Sequence, residues 1–355
     1  IPLVAATVLT GLRRDLRTPW PWVAAGISLL VGHPSLLGQV ALDWPFFGQM
    51  ADLRSSQLSQ VTYGSFFSEQ LLMVGPTVLL GMVGVAGLLR AGVLLEPGAG
   101  NGADPSRASA LRAVALAGAG ALIFLMVMRG KPYYAGPIHP VLMAAGAATL
   151  ASLGRSAATG LASRAATGTL VLVVTLQAAF GVATLPMGLP ILDREPMARY
   201  AAWLGVTAAT RTNVGVQLEL PQDYADMLGW EAFADTVAGV WATLSDDEQD
   251  RAVLLATNYG RAGALDHYGK DRGLPPAVAP IGSYWFWGPG DREWDVAVVA
   301  GSDSTNLAAF FREVTEAARV RDSWRVPEER DVGVFVVRRP HEPIAEVWPR
   351  FEGRN

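Results

Sequence analysis

The sequence predicts a polytopic α-helical membrane domain over residues 1–190, followed by a small α/β domain over residues 191–355. The distribution of charge supports this division. Residues 1–190 hold 17 charged side chains, 11 basic and 6 acidic, whereas residues 191–355 hold 43, of which 17 are basic and 26 acidic. A segment so poor in charge is typical of a membrane domain, and the second part has the composition of a soluble domain. The chain has no cysteine, so cysteine spacing gives no disulfide framework.

Five apolar stretches in the first part are candidate membrane spans. They cover residues 20–37, 70–89, 111–128, 137–153 and 168–186, and several are near the short end of the roughly 20 residues that a bilayer requires. A shorter apolar run over residues 1–12 opens the sequence without a signal peptide. We therefore expect the chain to begin inside a helix of a longer protein.

Basic residues lie in alternate loops and predict the orientation of these spans. The arginines concerned are Arg13, Arg14, Arg17, Arg90, Arg107, Arg112, Arg155 and Arg164. Positive charge favours the cytoplasmic side of a membrane, so we expect these loops inside the cell. The loops at residues 39–69 and 129–136 are then outside, together with everything after residue 190.

A basic and aromatic sequence, Arg129-Gly130-Lys131-Pro132-Tyr133-Tyr134, lies between two of the apolar stretches. We call residues 129–134 the basic–aromatic loop. Two cations and two tyrosines at a membrane surface suit an anionic group such as a lipid phosphate, but such residues also anchor helices at the interface. Positive charge is scarce on the outer side, so its presence in this loop favours a functional role.

The outer loop at residues 39–69 interleaves aromatic side chains with isolated charges. This pattern is typical of an amphipathic segment lying in the membrane interface. The charges are solvated on such a helix, or the segment covers a cavity with Asp43, Arg54 or Glu69 facing inward. His139 lies in a Pro-Ile-His-Pro turn close to the basic–aromatic loop. It is a further candidate for lining the cavity, although a lone histidine is more often a hydrogen-bonded structural residue.

The second part alternates predicted strands and helices, which indicates a parallel or mixed sheet. Strands are predicted at residues 252–256, 295–300 and 332–337, and helices at residues 223–244 and 305–320. Residues 257–263 form a turn that opens a further helix. A helix N-terminus can bind an anion, but no glycine-rich nucleotide motif is present, so a tight structural turn is favoured over nucleotide binding.

Four consecutive aromatic residues occur in Tyr284-Trp285-Phe286-Trp287. We expect these residues to lie outside the ordinary core, because aromatic faces stack on sugar rings or sit at a membrane interface. Tyr284, Trp285 and Trp287 are therefore candidates for sugar contact or for docking against the membrane domain. No spacing of His, Cys and Asp suggests a metal site, so a divalent metal is compatible with the sequence but not indicated.

Several short motifs together resemble the dolichyl-phosphate-mannose protein mannosyltransferase-like family, glycosyltransferase family 39 and its bacterial relatives. In the first part, the matching residues are His33-Pro34, Gln39, Asp43-Trp44-Pro45-Phe46, Phe66-Phe67-Ser68-Glu69-Gln70, Gly75-Pro76 and Gly130-Lys131-Pro132-Tyr133-Tyr134, with Pro137 and Pro140. In the second part, they are Tyr259-Gly260, Gly273-Leu274-Pro275 and Tyr284-Trp285-Phe286-Trp287-Gly288-Pro289. The resemblance covers about residues 20–300 and corresponds to the C-terminal part of a GT-C-type glycosyltransferase.

The resemblance implies a multi-pass enzyme of the bacterial plasma membrane that moves a sugar from a polyprenyl phosphate to an acceptor on the outer face. It assigns lipid-phosphate contact to Lys131 and Tyr134, and more weakly to Tyr133 and Arg129. The principal catalytic aspartate of the family lies in the first outer loop, which we expect upstream of Ile1. Asp43 is not its equivalent, so no catalytic residue is assigned here and the chain alone is expected to be inactive.

The implied partners are membrane lipid, the polyprenyl-phosphate-linked sugar, and an acceptor that is a protein, a lipid or a glycan. No nucleic acid partner and no cofactor other than this donor substrate are implied. The alternative is a non-catalytic membrane protein that binds lipid-linked sugar or assembles a partner through its outer domain. A transporter is disfavoured because neither paired broken helices nor internal repeats are evident in the sequence.

Overall fold

The computed structural model describes residues 1–90, 105–156, 160–290 and 293–351. The chain forms two compact units. The first comprises Ile1–Pro186 with Asn213–Val216, and the second comprises Met187–Thr212 and the chain from Gln217 onward. The change of unit after Pro186 falls four residues before the boundary at residue 190 that charge predicts.

The first unit is built from helices. They are α1 (Pro2–Leu9), α2 (Trp20–Ala41), α3 (Pro45–Ser56), α4 (Tyr63–Val74), α5 (Val78–Arg90), α6 (Pro105–Val127), α7 (Ile138–Ser156) and α8 (Leu161–Gly188). Within the described residues, four helical stretches are long and apolar enough to cross a membrane, namely Trp20–Ala41, Tyr63–Arg90, Pro105–Val127 and Ser163–Gly188. No residue of α2 is buried, which suits a helix whose apolar side chains face lipid.

The predicted span at residues 137–153 forms α7, which is not among those four stretches. Polar side chains along α7, including His139, Thr149 and Ser152, reduce its apolar character. Two of these side chains, Thr149 and Ser152, are buried, so this helix faces protein along one side.

Helices α5 and α7 pack closely through small residues. A methyl group added at Gly84 would overlap the carbonyl oxygen of Leu142, and one added at Gly146 would overlap the carbonyl oxygen of Leu80. Small residues at such positions let two helix backbones approach, which is how helices in membranes gain packing energy. Leu88 and Leu142 then form a small buried cluster with α6.

The apolar stretch predicted at residues 70–89 is one span with a break. A short 3-10 segment, Gly75–Thr77, separates α4 from α5, because Pro76 cannot donate the next helical hydrogen bond. The displaced Thr77 N–H donates instead to Gln177 Oε1 of α8 at 3.4 Å. The N–H group exposed by the break therefore has a side-chain partner on a neighbouring helix.

The second unit contains a five-stranded mixed sheet and short helices. The strands are β1 (Ala252–Ala256), β2 (Ala277–Val278), β3 (Val296–Ala300), β4 (Phe311–Arg321) and β5 (Asp331–Pro340), in the spatial order β2-β1-β3-β5-β4. Strands β1, β2 and β3 are parallel, whereas β5 is antiparallel to both β3 and β4. The helices are α9 (Arg194–Leu204), α10 (Gln222–Asp226), α11 (Trp230–Trp241), α12 (Asp246–Asp250), α13 (Tyr259–Tyr268), α14 (Gly282–Trp287), α15 (Ser304–Ala308) and α16 (Ile344–Val347).

Both faces of the sheet are buried. Leu254 and Val298 contribute to one apolar cluster together with α11 and α13. Leu255 and Val299 contribute to a second cluster on the opposite face. Alternate residues of a strand point to opposite faces, so the continuous apolar runs at residues 252–256 and 296–300 supply both clusters.

Two helix predictions in this unit are wrong. The helix predicted at residues 305–320 is a short helix, α15, followed by the long strand β4, which pairs with β5. The helix predicted at residues 223–244 is divided into α10 and α11 by Gly229, whose φ is 75°. The left-handed backbone at Gly229 cannot continue a right-handed helix.

Candidate functional site

The basic–aromatic loop begins where α6 ends, and its backbone forms a defined helix cap. The Gly130 N–H donates to the Leu125 carbonyl at 2.8 Å, and the Arg129 N–H donates to the Met126 carbonyl at 3.1 Å. This pair of hydrogen bonds is the Schellman motif, in which the residue at the Arg129 position adopts the left-handed conformation and is usually glycine. Arg129 has a φ of 53°, so the chain keeps a cation where the backbone favours glycine.

Lys131, Tyr133 and Tyr134 of the loop form a chain of contacts, and Arg129 contacts a ring of α4. The Lys131 Nζ lies 5.7 Å from the centre of the Tyr133 ring. The Tyr133 and Tyr134 rings meet edge to face with their centres 4.9 Å apart. The Arg129 guanidinium lies 5.8 Å from the centre of the Tyr63 ring, which belongs to the first turn of α4. The loop therefore brings together three of the four predicted lipid-phosphate residues, Lys131, Tyr133 and Tyr134, while Arg129 is oriented toward α4.

The positive charge of the loop has no ion-pair partner among the described residues. Neither Arg129 nor Lys131 forms a salt bridge with any residue in the described part of the chain. Burial, followed by the neighbouring Tyr133, raises the pKa of the Tyr134 hydroxyl, which remains a protonated donor at neutral pH. Two cations and two hydroxyl groups that have no carboxylate partner in the described part of the chain form a surface that attracts an anion.

A buried side-chain amide of α4 forms a hydrogen bond to the backbone of the loop. Gln70 Nε2 donates to the Pro132 carbonyl at 2.8 Å, and Gln70 Oε1 lies 2.8 Å from His139 Nε2. His139, a cavity-lining candidate in the sequence, is hydrogen-bonded to Gln70 in the structure. No role was predicted for Gln70 itself, although a polar residue seven positions after Tyr63 on an apolar helix is a signal that could have identified it.

Asp43 and Arg54, two charged candidates of the outer loop at residues 39–69, lie apart from this hydrogen-bond network. Asp43 precedes α3 in a turn with a φ of 55°, and Arg54 lies in the last turn of α3. Both side chains are exposed, and neither has a hydrogen bond or salt bridge to a described residue. The arrangement of α3 corresponds to a surface helix with solvated charges, which was one of the two interpretations of this segment.

The four consecutive aromatic residues of the second unit divide into two groups. Tyr284 packs at the edge of one apolar cluster of the sheet and Trp285 at the edge of the other, and both side chains are half-buried. Tyr284 also donates to Asp266 Oδ2 at 2.5 Å. Trp287 remains 72% exposed, and its ring meets that of Tyr284 with centres 4.8 Å apart. Of the three candidates, Trp287 has the ring most free to stack on a ligand.

The turn at residues 257–263 is filled by the protein's own charged side chains. Asn258 caps α13, and the Arg261 guanidinium donates to the Thr257 hydroxyl at 2.6 Å and to the Gly301 carbonyl at 3.0 Å. Arg261 Nε pairs with Glu329 Oε2 at 3.0 Å. The turn lies between the carboxyl ends of β1 and β3, where open α/β sheets commonly bind ligands. Here an internal ion pair occupies that position, so the turn is structural.

A cleft of about 520 Å³ lies along α9 in the second unit. Its floor consists of small residues such as Ala198 and Ala202, and its charged lining residues are Arg199 and Glu219. The volume is within the usual range for ligand pockets. However, its amide group is already used internally, because Gln217 Nε2 donates to the Thr210 carbonyl at 3.1 Å. The basic–aromatic loop is therefore the stronger candidate.

Comparison with known protein families, with curated proteins and with solved structures gives no match for this chain.

Proposed function

We propose that this chain acts in an integral membrane glycosyltransferase that moves a sugar from a polyprenyl phosphate to an acceptor on the outer face of the membrane. The observation that carries the proposal is the basic–aromatic loop. Lys131 and Arg129 have no carboxylate partner among the described residues, and they lie with Tyr133 and Tyr134 at the end of an apolar helix. A phosphate joined to a long apolar chain matches both parts of that surface.

The chemistry of transfer explains why such a loop is useful. The bond between the anomeric carbon and the phosphate oxygen breaks, and its electron pair stays on the phosphate. A bond forms between the acceptor oxygen and the anomeric carbon, and the proton of the acceptor passes to a general base. The leaving phosphate gains negative charge, which cations and hydroxyl donors held in place before the reaction stabilise.

Within this proposal, Lys131 is the principal contact of the lipid phosphate. Its side chain is partly buried and follows the glycine that closes the α6 cap. Tyr134 contributes a neutral hydroxyl, and Tyr133 holds the Lys131 ammonium against its ring face. Arg129 adds a second cation whose direction is set by Tyr63.

Cells that lack this protein, complemented with variants of the intact chain, test the proposal. Mass spectrometry of their glycolipids and glycoproteins reports both the accumulated donor and the missing product. We expect Lys131→Ala to lower transfer about a hundredfold, as the loss of one charge-stabilising donor does elsewhere. Arg164→Ala removes an equal charge from an exposed position of α8 and serves as the matched control.

The same experiment separates the enzyme from the alternative. Unchanged transfer in Lys131→Ala would reject the proposed role of the loop. If the wild-type protein retains lipid-linked sugar but its deletion changes no glycan, the chain is a non-catalytic binding or assembly protein.

A further inference from the structure

One face of α4 supports the basic–aromatic loop at two points. Tyr63, Phe66 and Gln70 are spaced three and four residues apart, so they lie on the same side of the helix. Tyr63 contacts Arg129 at the beginning of the loop, and Gln70 contacts Pro132 in its middle. Phe66 between them is only 3% exposed.

The Gln70 amide uses both of its ends. A carbonyl can only accept, so the amide nitrogen is the group that faces the Pro132 oxygen. Gln70 Oε1 then accepts from His139 Nε2, which must carry the hydrogen. Gln70 is 9% exposed. When a polar group buried to this degree loses its hydrogen-bond partner, the folded protein becomes less stable. The amide thus joins α4, the loop and the first turn of α7.

Gln70 ties a segment whose backbone is already restricted to a neighbouring helix. Lys131 precedes a proline and is held in the extended region, with φ −61° and ψ 136°. The ring of Pro132 fixes its own φ. Residues Pro132–Ala135 form a 3-10 turn in which the Tyr134 N–H donates to the Lys131 carbonyl at 3.1 Å. The Gln70 amide holds the Pro132 carbonyl of this turn at 2.8 Å and so fixes the position of the turn against α4.

We propose that Gln70, oriented by His139, is a positioning residue that holds Lys131 and Tyr134 in the arrangement that binds a polyprenyl phosphate. This inference rests on the proposed function of the loop. Gln70 lies beneath the loop and acts through its backbone, which carries Lys131 on one side of Pro132 and the tyrosines on the other. Groups fixed before the ligand arrives lose less entropy on binding, which raises affinity for the phosphate.

This role is tested by measuring how the intact chain in nanodiscs binds two small lipids that share one apolar chain but differ in headgroup. Farnesyl monophosphate carries the phosphate, whereas farnesol has the same apolar chain with a neutral hydroxyl. The ratio of the two affinities measures phosphate recognition. A general loosening of the fold would weaken both lipids, but a displaced loop weakens only the phosphate.

We expect Gln70→Leu to reduce the preference for farnesyl monophosphate about tenfold, the factor that corresponds to about 1.4 kcal/mol. Its affinity for farnesol should remain that of the wild type. Ser68→Ala, an exposed change on the same helix, is the control and should leave the ratio unchanged. A wild-type ratio in Gln70→Leu, or an equal loss of affinity for both lipids, would overturn the positioning role.

A pair of variants at His139 keeps the test decisive should Gln70→Leu fail to fold. His139→Gln retains a donor for Gln70 Oε1 and should preserve the ratio, whereas His139→Phe removes that donor and should lower it. Equal ratios in the two variants would contradict the inference.

Lys131→Ala tests the proposed function separately. If Lys131→Ala keeps the phosphate preference, the proposed function fails, and if only Gln70→Leu and His139→Phe keep it, the positioning role alone fails.

Discussion

The Arg129 guanidinium lies 5.8 Å from the centre of the Tyr63 ring, while the Arg129 backbone occupies the left-handed region with a φ of 53°. The left-handed conformation costs a non-glycine residue roughly 1–2 kcal/mol. The Schellman cap at the end of α6 would accept glycine at this position without that cost. Arg129, the first residue of the loop, therefore combines a positive charge with a strained backbone, and such strain is often found at functional sites.

Replacing Arg129 by Gly separates backbone strain from charge. We expect Arg129→Gly to raise the free energy of unfolding by about 1 kcal/mol, because glycine adopts positive φ readily. Its affinity for farnesyl monophosphate should fall, because the loop loses one of its two cations. Thermal unfolding in detergent and lipid binding in nanodiscs measure the two effects.

Arg129→Lys is the matched control, since lysine keeps both the charge and the strain. Its stability and its phosphate affinity should remain near those of the wild type. A less stable Arg129→Gly variant would show instead that the contact with Tyr63 outweighs the backbone strain.

The close approach of α5 and α7 predicts different results for two glycines on one helix. A methyl group at Gly84 meets the backbone of α7, whereas one at Gly81 meets no atom within 4 Å. Gly84→Ala should lower the free energy of unfolding by about 1–3 kcal/mol, as overpacking does in tight cores. Gly81→Ala should leave it unchanged or slightly raised. Equal thermal midpoints for the two variants in detergent would contradict the observed packing.

The strands of the second unit that lie inside the sheet could be predicted from sequence, but the edge strand β4 could not. Residues 252–256 and 296–300 are buried on both faces and form continuous apolar runs. In β4, residues such as Glu313, Glu316 and Arg319 are partly or fully exposed, and the register shifts between Glu316 and Ala318. The shift interrupts the alternation that marks a strand, and Ala, Glu and Arg favour helix in isolation. Pairing with β5 overrides that local preference.

In the candidate site, too, one part could be predicted from sequence and the other could not. Arg129, Lys131, Tyr133 and Tyr134 are neighbours in sequence, so their grouping could be predicted without a fold. The amide that supports them comes from Gln70, which is 62 residues away from Pro132 along the chain. Contacts of this range depend on how α4, α6 and α7 pack, and a single sequence does not contain that information.

The internal ion pair of the second unit predicts a large loss of stability when one partner becomes neutral. Arg261 and Glu329 are 6% and 5% exposed, and their Nε and Oε2 atoms lie 3.0 Å apart. Glu329→Gln keeps the shape but leaves the Arg261 charge buried without its counter-ion, which costs about 3–5 kcal/mol. Chemical denaturation followed by tryptophan fluorescence measures the change.

An exposed pair on the same sheet provides the control. Glu313 Oε1 and Arg339 Nη1 lie 2.9 Å apart with both side chains in contact with solvent. Glu313→Gln should change stability by less than about 1 kcal/mol. If Glu329→Gln had an equally small effect, the buried pair would not be holding the turn at residues 257–263 together.

Tyr284 predicts a dependence of stability on alkaline pH. Burial, followed by its hydrogen bond to Asp266, raises the pKa of Tyr284 from 10.0 to about 12. Between these values the folded protein keeps the phenolic proton while the unfolded chain loses it. The stabilisation is therefore complete below pH 10 and is lost as the pH rises to about 12. Tyrosinate absorbance, taken as the difference between the wild type and Tyr284→Phe, should show this late titration. Asp266→Asn removes the neighbouring negative charge and should move the midpoint back toward 10, whereas an unshifted midpoint would show that burial alone raises the pKa.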